Sequence, residues 1–336
     1  MDERITLDYG SGGLKTSELI ESLLLPALDN PALAQLGDGA VLQGADTLVF
    51  STDSFVVSPW RFPGGDIGKL SVCGTVNDLC MAGGTPKYLS LSFILEEGFL
   101  ISDLKEIIMS IAEEAAGSGV SIVTGDTKVV ESGKGDGIYI NTAGIGFRRA
   151  ALPGRSGIRP GDAVLISGTA GRHGAAVMME RAGLLREDSP LRADCECLLR
   201  TASAVLDPAI SEAVRILRDP TRGGIATTLN EFTEGMPFSI ELEQTAVPID
   251  PEVEAACDIL GLDPLYCACE GRMLAVCAPE AADRLLSAMR SVPGGEHAAR
   301  IGTVTEDLPG RVLLRTPIGG TRILSKLSGM QLPRIC

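Results

Sequence analysis

Two spacings of apolar residues alternate along the chain, and this alternation predicts a mixed α/β architecture in both halves. The most regular helical spacing lies in residues 103–116, on one apolar stripe formed by Leu104, Ile107, Ile108, Ile111 and Ala115. We expect Ser102 to cap this helix and the glycines that follow to end it. A second helix is predicted over 66–82 with Asp66 as its N-cap, and Gly74 on that helix allows a close approach.

Short apolar runs predict the strands of the first half at 47–52, 120–123 and 138–147. The first of these delivers Asp53, and the second ends at Gly125 and Asp126. In the second half we expect strands near 163–167, 238–243, 272–277, 299–304 and 311–315. Helices are expected there near 173–183, 194–206, 208–217, 224–234 and 279–291.

The composition changes along the chain predict four segments. The first is a glycine-rich N-terminal segment, 1–36, and the second is an N-terminal domain, 37–150. A C-terminal α/β domain, 151–324, begins with a Pro/Gly/Arg-rich linker, and a mobile tail, 325–336, follows it. A chain of 336 residues exceeds what one core usually organises, which agrees with two domains.

The net charge of −15 opposes nonspecific binding to nucleic acid, whose phosphates need basic surfaces. It also repels a nucleotide unless a divalent cation intervenes, so a bound nucleotide predicts Mg²⁺. The first residues are not a charged-then-apolar leader, and no apolar run approaches the length of a membrane span. We therefore expect a soluble, cytoplasmic protein whose nine cysteines are reduced.

Cys336 is the last residue and the first candidate for chemistry, because a terminal thiol is free to move between partners. A frayed terminus is the ordinary alternative. Against it, Pro333 stiffens the approach and Arg334 is expected to place a cation beside the sulfur, which favours a functional thiol.

Five aspartates lie where predicted elements start, end or turn: Asp38, Asp53, Asp78, Asp126 and Asp219. Each alone is typical of a turn or a helix cap, but together with neighbouring Gly, Ser, Thr and Asn residues they favour a metal–phosphate site. Lys128 is placed to offset charge beside Asp126.

The glycine-rich signals differ in weight. Residues 10–13 suit a phosphate cradle but equally suit a flexible turn. Residues 63–70 imitate a P-loop, yet Pro63 replaces its first glycine and Leu70 its Ser/Thr, so we reject that interpretation. Residues 218–224 precede a predicted helix, and an anion site and an ordinary capped start are equally compatible with them.

The remaining cysteines and histidines carry less weight. Cys195 with Cys197, and Cys267 with Cys269, form C-x-C pairs, but no nearby histidine or second spaced pair completes a zinc set. We expect core or surface thiols there, with Cys73 and Cys80 along one packed face of the predicted helix. His173 and His297 have no evident Ser or Cys partner, which argues against histidine-driven acyl chemistry.

A set of motifs spread over nearly the whole chain resembles the HypE family of hydrogenase maturation factors. That family belongs to the superfamily of aminoimidazole ribonucleotide synthetase, selenophosphate synthetase and thiamine-phosphate kinase. The segments that carry the resemblance are 10–13, 51–54, 63–78, 125–130, 218–224, 270–272 and 331–336. The ending is the most specific, since the wider superfamily lacks it. Gly12, Gly13 and Leu14 stand where selenophosphate synthetases usually carry Cys or selenocysteine, which argues against selenium chemistry.

The resemblance implies a two-domain aminoimidazole ribonucleotide synthetase-like fold in which 37–150 binds ATP and forms a homodimer. It further implies that a HypF-type carbamoyltransferase loads a carbamoyl group onto Cys336. The chain then uses ATP and Mg²⁺ to dehydrate this group to a thiocyanate, whose cyanide passes to iron on a HypC–HypD complex and becomes a ligand of [NiFe]-hydrogenase.

By match to the family's motifs, Cys336 is the substrate carrier, while Glu270 and Lys128 handle the thiocarbamate and its protons. The same match assigns cofactor binding to Asp38, Asp53, Asn77, Asp78, Gly125, Asp126, Thr127, Asp219 and Arg222. The five aspartates are the implied magnesium ligands. Two rival functions remain: a small-molecule kinase or synthetase of the same superfamily, and a non-enzymatic thiol carrier that uses no nucleotide.

Overall fold

Two mixed sheets with helices packed against them make up the fold. The computed structural model describes residues 3–37, 39–186, 188–327 and 334–336. One sheet has four strands and lies in the first half of the chain, and the other has seven and lies in the second half. The α/β fold class with two sheet-and-helix units is confirmed.

The first half begins with two short helices, α1 (Leu14–Leu19) and α2 (Leu25–Leu28). Its sheet contains β1 (Leu48–Phe55), β4 (Gly84–Glu96), β5 (Ser121–Val130) and β6 (Ile138–Arg148) in the order β1-β6-β4-β5. A two-stranded ribbon, β2 (Arg61–Phe62) with β3 (Gly65–Asp66), follows β1. Only the β4–β5 pair of the sheet is parallel, and the helix α4 (Ile101–Ser118) makes the crossover that a parallel pair requires.

The helix α3 (Ile67–Met81) packs on the inner face of this sheet. The side chain of Asp66 caps it by accepting hydrogen bonds from the backbone N–H groups of Gly68 at 2.7 Å and Lys69 at 3.0 Å, as the sequence predicts. Gly74 allows the helix to approach β1, because a Cβ there would lie 2.8 Å from the ring of Phe55. This contact brings the helix residue Asp78 close to the strand residue Asp53.

The second half contains a seven-stranded sheet in the order β13-β12-β9-β11-β7-β10-β8. The strands are β7 (Ala163–Ile166), β8 (Val214–Arg218), β9 (Ser239–Glu243), β10 (Leu274–Cys277), β11 (Ala299–Thr305), β12 (Val312–Arg315) and β13 (Thr321–Ile323). The helices are α5 (Arg172–Arg181), α6 (Leu199–Val205), α7 (Gly224–Thr233), α8 (Pro251–Leu260) and α9 (Ala282–Arg290).

Alternating residues of the second sheet belong to two cores. Val164 and Ile166 of β7 pack with α7, while Ala163 and Leu165 join a core that continues into the first half of the chain. The helix α6 contacts α3 across this shared core. The two halves are therefore joined by apolar packing along α3, the helix that also carries site residues.

Several predicted elements differ from the structure. The helix predicted over 208–217 is wrong: this segment forms a short 3₁₀ turn and then β8, an edge strand whose Val214 and Leu217 are buried on either side of a register shift. The strand predicted over 120–123 continues through Gly125 to Val130, because Gly125 packs against the carbonyl of Leu91 on β4.

Other differences concern omissions and element ends. The predictions omit β4, although its buried Leu89, Leu91, Phe93 and Leu95 alternate as a strand requires, and they omit α8 and β13. The helix α4 begins at Ile101 without a side-chain cap from Ser102, and Gly119 ends it with a positive φ of 68°. Among the described residues, no helix combines the length and the apolar character that a bilayer crossing requires.

Candidate active site

The last three residues of the chain are packed between the two halves. The backbone N–H of Val56 donates to the terminal carbonyl oxygen of Cys336 at 3.1 Å, and that of Ser58 donates to the carbonyl of Arg334 at 3.3 Å. The side chain of Ile335 is only 2 % exposed. The end of the chain therefore binds along the segment that follows β1 of its own subunit, while residues 328–333 lie outside the described part.

Two side chains that the sequence analysis missed hold this end from the second half. Arg181, at the end of α5, donates to the carbonyl of Arg334 at 2.7 Å and to that of Ser58 at 2.7 Å. The buried His173, at the start of the same helix, lies with its Nε2 2.8 Å from the carbonyl oxygen of Ile335. The sequence offered one signal for the role of His173, namely a histidine outside any triad motif. Its partner is a backbone atom, which no sequence motif encodes.

Arg334 does not supply the cation beside the sulfur that the sequence suggested. Its Nε donates to the carbonyl of Val56 at 3.0 Å, and its guanidinium pairs with Asp136. The positive group at the Cys336 thiol is Arg222, which hydrogen-bonds to it. Burial raises the pKa of Cys336 to about 12, and the charges of Glu270 and Asp53 act in the same direction. Arg222 offsets part of this increase in the pKa.

Three of the predicted aspartates form an acidic cluster near this thiol. Asp53 lies on β1, Asp78 on α3 and Asp219 directly after β8. The hydroxyl of Ser51 donates to Asp78 at 2.7 Å. Burial raises the pKa of Asp219 to about 7, with a further contribution from Asp78, and burial followed by Asp78 also raises the pKa of Asp53. The carboxylates thus repel one another and favour a cation between them.

Glu270 is buried beside this cluster, with 2 % of its surface exposed. Burial raises its pKa well above the usual range, and the charges of Asp219 and Asp194 add to the effect. Its Oε1 has no hydrogen-bond partner among the described residues. A buried carboxyl with a raised pKa and an unused oxygen, next to a thiol, is typical of a general base awaiting a substrate.

Two residues position Glu270 through its backbone. The buried Asp194 accepts a hydrogen bond from the backbone N–H of Glu270 at 3.2 Å, and Asn77 donates to its carbonyl at 3.0 Å. Asp194 was not predicted, because nothing in its local sequence distinguishes it from a turn aspartate. Asn77 was expected to bind the cofactor, but its amide is fully buried and also bonds to the backbone of Glu196 and Leu198. Its observed role is positioning.

The predicted residues of β5 lie elsewhere. Asp126 on β5 lies beside Ser92 on β4, Ser92 lies beside Asn141 on β6, and Asn141 lies beside Ser54 on β1. Asp126 therefore faces the same side of the sheet as Ser54 and the opposite side from Asp53. Three strand spacings of about 4.8 Å separate the two strands, or about 14 Å in total. Within one subunit the ammonium of Lys128 contacts Asp126 at 2.7 Å, and both side chains are more than half exposed. The catalytic role of Lys128 stays a prediction.

A cavity of about 420 Å³ lies along β5, on the side of the N-terminal segment. Its lining includes the predicted Gly125, Asp126 and Thr127, together with Gly10 and Gly12 of the glycine-rich segment. A Cβ at Gly10 would lie 2.5 Å from the backbone nitrogen of Val129, so glycine is required for this loop to pack on the strand. The volume is within the range of small-molecule sites. The remaining predicted residue, Asp38, lies outside the described residues.

The acidic cluster fits Mg²⁺ by its donor atoms. The carboxylates of Asp53, Asp78 and Asp219 do not form a group of three oxygens within 4.8 Å of one another. Mg²⁺ does not need such a group, since it keeps several waters and binds through one or two carboxylates and substrate phosphates. Burial is the main cause of the raised pKa values of Asp53 and Asp219, and the nearby charge of Asp78 adds to both.

Models of two protein families match the chain. The N-terminal domain of AIR synthase related proteins matches residues 36–147, and the C-terminal domain of the same proteins matches residues 159–314. A carbamoyl dehydratase HypE from Cupriavidus necator is 51 % identical over 336 residues, covering 99 % of this chain and 95 % of its own. This chain belongs to the HypE family.

Solved structures agree with this assignment. A hydrogenase maturation protein HypE in complex with ATP has a TM-score of 0.93 and 45 % identity, covering 98 % of this chain and 99 % of its own. A chain of a HypE–HypF complex has a TM-score of 0.78 and 43 % identity, covering 91 % and 98 %. The two-domain fold implied by the resemblance is thereby confirmed.

Proposed function

We infer that this chain is the ATP-dependent carbamoyl dehydratase of hydrogenase maturation, and that it converts an S-carbamoyl group on Cys336 into a thiocyanate. The single observation that carries the mechanism is the environment of the Cys336 thiol. Within one subunit, this buried sulfur is hydrogen-bonded to Arg222, and the charges of Glu270 and Asp53 lie near enough to raise its pKa. A carbamoyl group on that sulfur would extend into the space between them.

The reaction needs the loss of one oxygen and two protons from the carbamoyl group. The carbamoyl oxygen attacks the terminal phosphorus of ATP, and ADP leaves. One N–H proton is lost in the same step, which gives the phosphate ester of the imino form. The carbamoyl oxygen, a poor leaving group, can then leave as phosphate. Loss of the second N–H proton then forms the C≡N bond as the C–O bond breaks and phosphate leaves. The products are the thiocyanate, ADP and phosphate.

We assign proton removal from the nitrogen to the ionised form of Glu270, because its buried Oε1 has no partner among the described residues. The carboxylate accepts the first N–H proton and releases it to solvent before it accepts the second. Arg222 orients the S-carbamoyl group and offsets the negative charge that collects beside Asp53 and Asp219. Asp53, Asp78 and Asp219 would hold Mg²⁺, which when bound neutralises phosphate charge. The nucleotide-binding roles expected for Gly125, Asp126, Thr127 and Lys128 stay predictions, because β5 lies three strand spacings from the strand of Asp53 within one subunit.

The docked tail predicts that Ile335→Asp increases the reactivity of Cys336. Burial of an isoleucine is worth about 1.5–3 kcal/mol, so a carboxylate in that pocket shifts the tail toward release by about tenfold or more. The released thiol leaves an environment in which its pKa is about 12 and ionises more readily. We expect faster alkylation of Cys336 by iodoacetamide, measured by mass spectrometry of the C-terminal peptide.

The matched control is Ile318→Asp, since Ile318 is 95 % exposed in the turn between β12 and β13. It should leave the alkylation rate of Cys336 unchanged. Equal rates in Ile335→Asp and the unmodified chain would contradict binding of the tail within its own subunit.

A homodimer through the open face of the four-stranded sheet is also proposed. This face carries Leu48, Phe50 and Ile94, which are 50 %, 67 % and 44 % exposed. The register places Phe50 beside Ile145 and Tyr88, so these side chains form one apolar patch near Leu48, and Ile94 lies apart from it toward the other end of β4. Such a patch, on a sheet face that no described helix covers, is typical of an interface.

The dimer proposal predicts that Phe50→Asp produces monomers, because a carboxylate buried in an apolar interface costs several kcal/mol. Light scattering during size-exclusion chromatography should show about half the mass of the unmodified chain. Ile318→Asp, which adds the same charge on an exposed turn, should stay dimeric. A dimeric Phe50→Asp variant would place the interface elsewhere.

The proposed partners follow from the reaction. A HypF-type carbamoyltransferase supplies the carbamoyl group, and a HypC–HypD complex that carries iron receives the cyanide. Both exchanges require the tail to leave its pocket, which the weak, mostly backbone contacts of Arg334–Cys336 permit. The net charge of −15 disfavours nucleic acid as a partner, and we propose a cytoplasmic location.

A further inference from the structure

Three thiols from distant parts of the sequence meet where the two halves of the chain join. Cys73 lies on α3, while Cys195 and Cys197 lie in the segment before α6. The thiol of Cys197 donates to the sulfur of Cys73 at 3.5 Å, and Cys195 is also hydrogen-bonded to Cys73. The C-x-C pair therefore finds the additional soft ligand that the sequence did not place beside it.

A carboxylate completes the group. An oxygen of Glu114 on α4, the sulfur of Cys73 and the sulfur of Cys197 all lie within 4.8 Å of one another. A tetrahedral zinc centre has metal–sulfur bonds of about 2.3 Å and metal–oxygen bonds of about 2.0–2.2 Å, which separate the ligand atoms by roughly 3.5–3.8 Å. The observed group needs only small side-chain adjustments to reach that geometry. Among the described residues, no other His, Cys, Asp or Glu set meets the same distance criterion.

The charge around the group also suits a cation. The ammonium of Lys69 lies 3.5 Å from Glu114. A cation is therefore already bound to the carboxylate of Glu114 through an ion pair. Cys197 and Glu114 are partly exposed, so an ion has a path from solvent to the buried Cys73.

We propose that Cys73, Cys197 and Glu114 bind one thiolate-preferring divalent cation of the zinc class, with water as the fourth ligand. The cation replaces two thiol protons, which pass to solvent, while Cys195 stays a hydrogen-bond partner of Cys73. Two ligands come from helices of the first half and one from the segment leading into α6, so the ion clamps the halves together. Asn77, one turn beyond Cys73, holds the carbonyl of Glu270, and the clamp therefore fixes the helix that positions the base.

The test uses the reduced, chelator-treated full-length chain, titrated with Co²⁺ and then with Zn²⁺. We expect one equivalent of Co²⁺ to produce the near-ultraviolet band of a thiolate–cobalt bond and intense visible bands of tetrahedral cobalt, both removed by Zn²⁺. Carboxylate sites such as the acidic cluster give no thiolate band. Repeating the titration with Cys336→Ser excludes the tail thiol as the ligand.

Cys197→Ser is the decisive variant, because Cys197 is partly exposed and its replacement disturbs packing least. It should lose the thiolate band and the rise in unfolding temperature that Zn²⁺ gives the unmodified chain. The matched control is Cys267→Ser, in the other thiol pair, where the sulfurs of Cys257 and Cys267 lie 3.7 Å apart. It should keep both signals.

Glu114→Gln adds a readout that does not depend on any cysteine. It should keep the thiolate band and shift the visible bands, because only the oxygen ligand changes. The proposal is overturned if the unmodified chain shows no thiolate band with one equivalent of Co²⁺. It is also overturned if the band persists in Cys197→Ser and is lost in Cys267→Ser.

Discussion

Replacing Cys336 with alanine should abolish thiocyanate formation while the fold survives. The sulfur of Cys336 is the atom to which the reacting carbon is attached, so no other residue can replace it. The alanine side chain fits the same pocket, and none of the hydrogen bonds of Arg334 and Ile335 uses the sulfur of Cys336, so the tail should still dock. Mass spectrometry of the intact chain after incubation with carbamoyltransferase, carbamoyl phosphate and ATP measures the product.

The matched control is Cys277→Ala, a buried cysteine on β10 of the second sheet. It should form thiocyanate at the rate of the unmodified chain. Thiocyanate on any residue of the Cys336→Ala variant would show that the terminal thiol is not the substrate carrier.

Replacing Glu270 with glutamine should reduce dehydration by about 10²–10⁴-fold, the usual contribution of a general base. Glutamine keeps the shape of the side chain but cannot accept a proton. Binding of Mg-ATP should be retained, because the substitution leaves Asp53, Asp78 and Asp219 in place. Carbamoylation of Cys336 should continue, and the chain should accumulate as the carbamoyl form.

Glu196→Gln provides the control for loss of a nearby carboxylate, because Glu196 lies close to Arg272 and its side chain is 57 % exposed. It should dehydrate the carbamoyl group normally. Undiminished thiocyanate formation in Glu270→Gln would refute the role of Glu270 as the base. Calorimetry with Mg-ATP separates this result from a loss of nucleotide binding.

The sequence predicted the elements whose signals are local. The N-cap at Asp66, the close approach at Gly74 and the apolar stripe of 103–116 depend on neighbours within a few residues, and the structure contains each of them. The helix predicted over 208–217 is wrong because a register shift in this edge strand buries Val214 and Leu217, three residues apart, in the same core, which removes the alternation typical of a strand. There the pairing with β10 decides the structure, and periodicity does not.

The sequence predicts candidate site residues but not their arrangement. Asp53 and Asp126 look equivalent as glycine- or serine-flanked aspartates, yet the sheet register places them on opposite faces. The contacts of His173 and Asp194 are to backbone atoms of distant segments, which leave no signature in composition or spacing.

The cysteine group shows the same limit. Cys195 and Cys197 form a C-x-C pair without a second motif nearby in the sequence, and Cys73 is more than a hundred residues away. Packing of α6 against α3 brings the thiols together. A metal-ligand set that is assembled across a domain junction is visible only once the junction is known.

The most direct test of the account is the intact mass of the chain, followed in time after carbamoylation of Cys336 and addition of Mg-ATP. We predict a gain of one carbamoyl group, then the loss of one water, with both changes located on the C-terminal peptide and ADP formed in step. A carbamoylated chain that keeps its oxygen while Mg-ATP is bound would contradict the central claim.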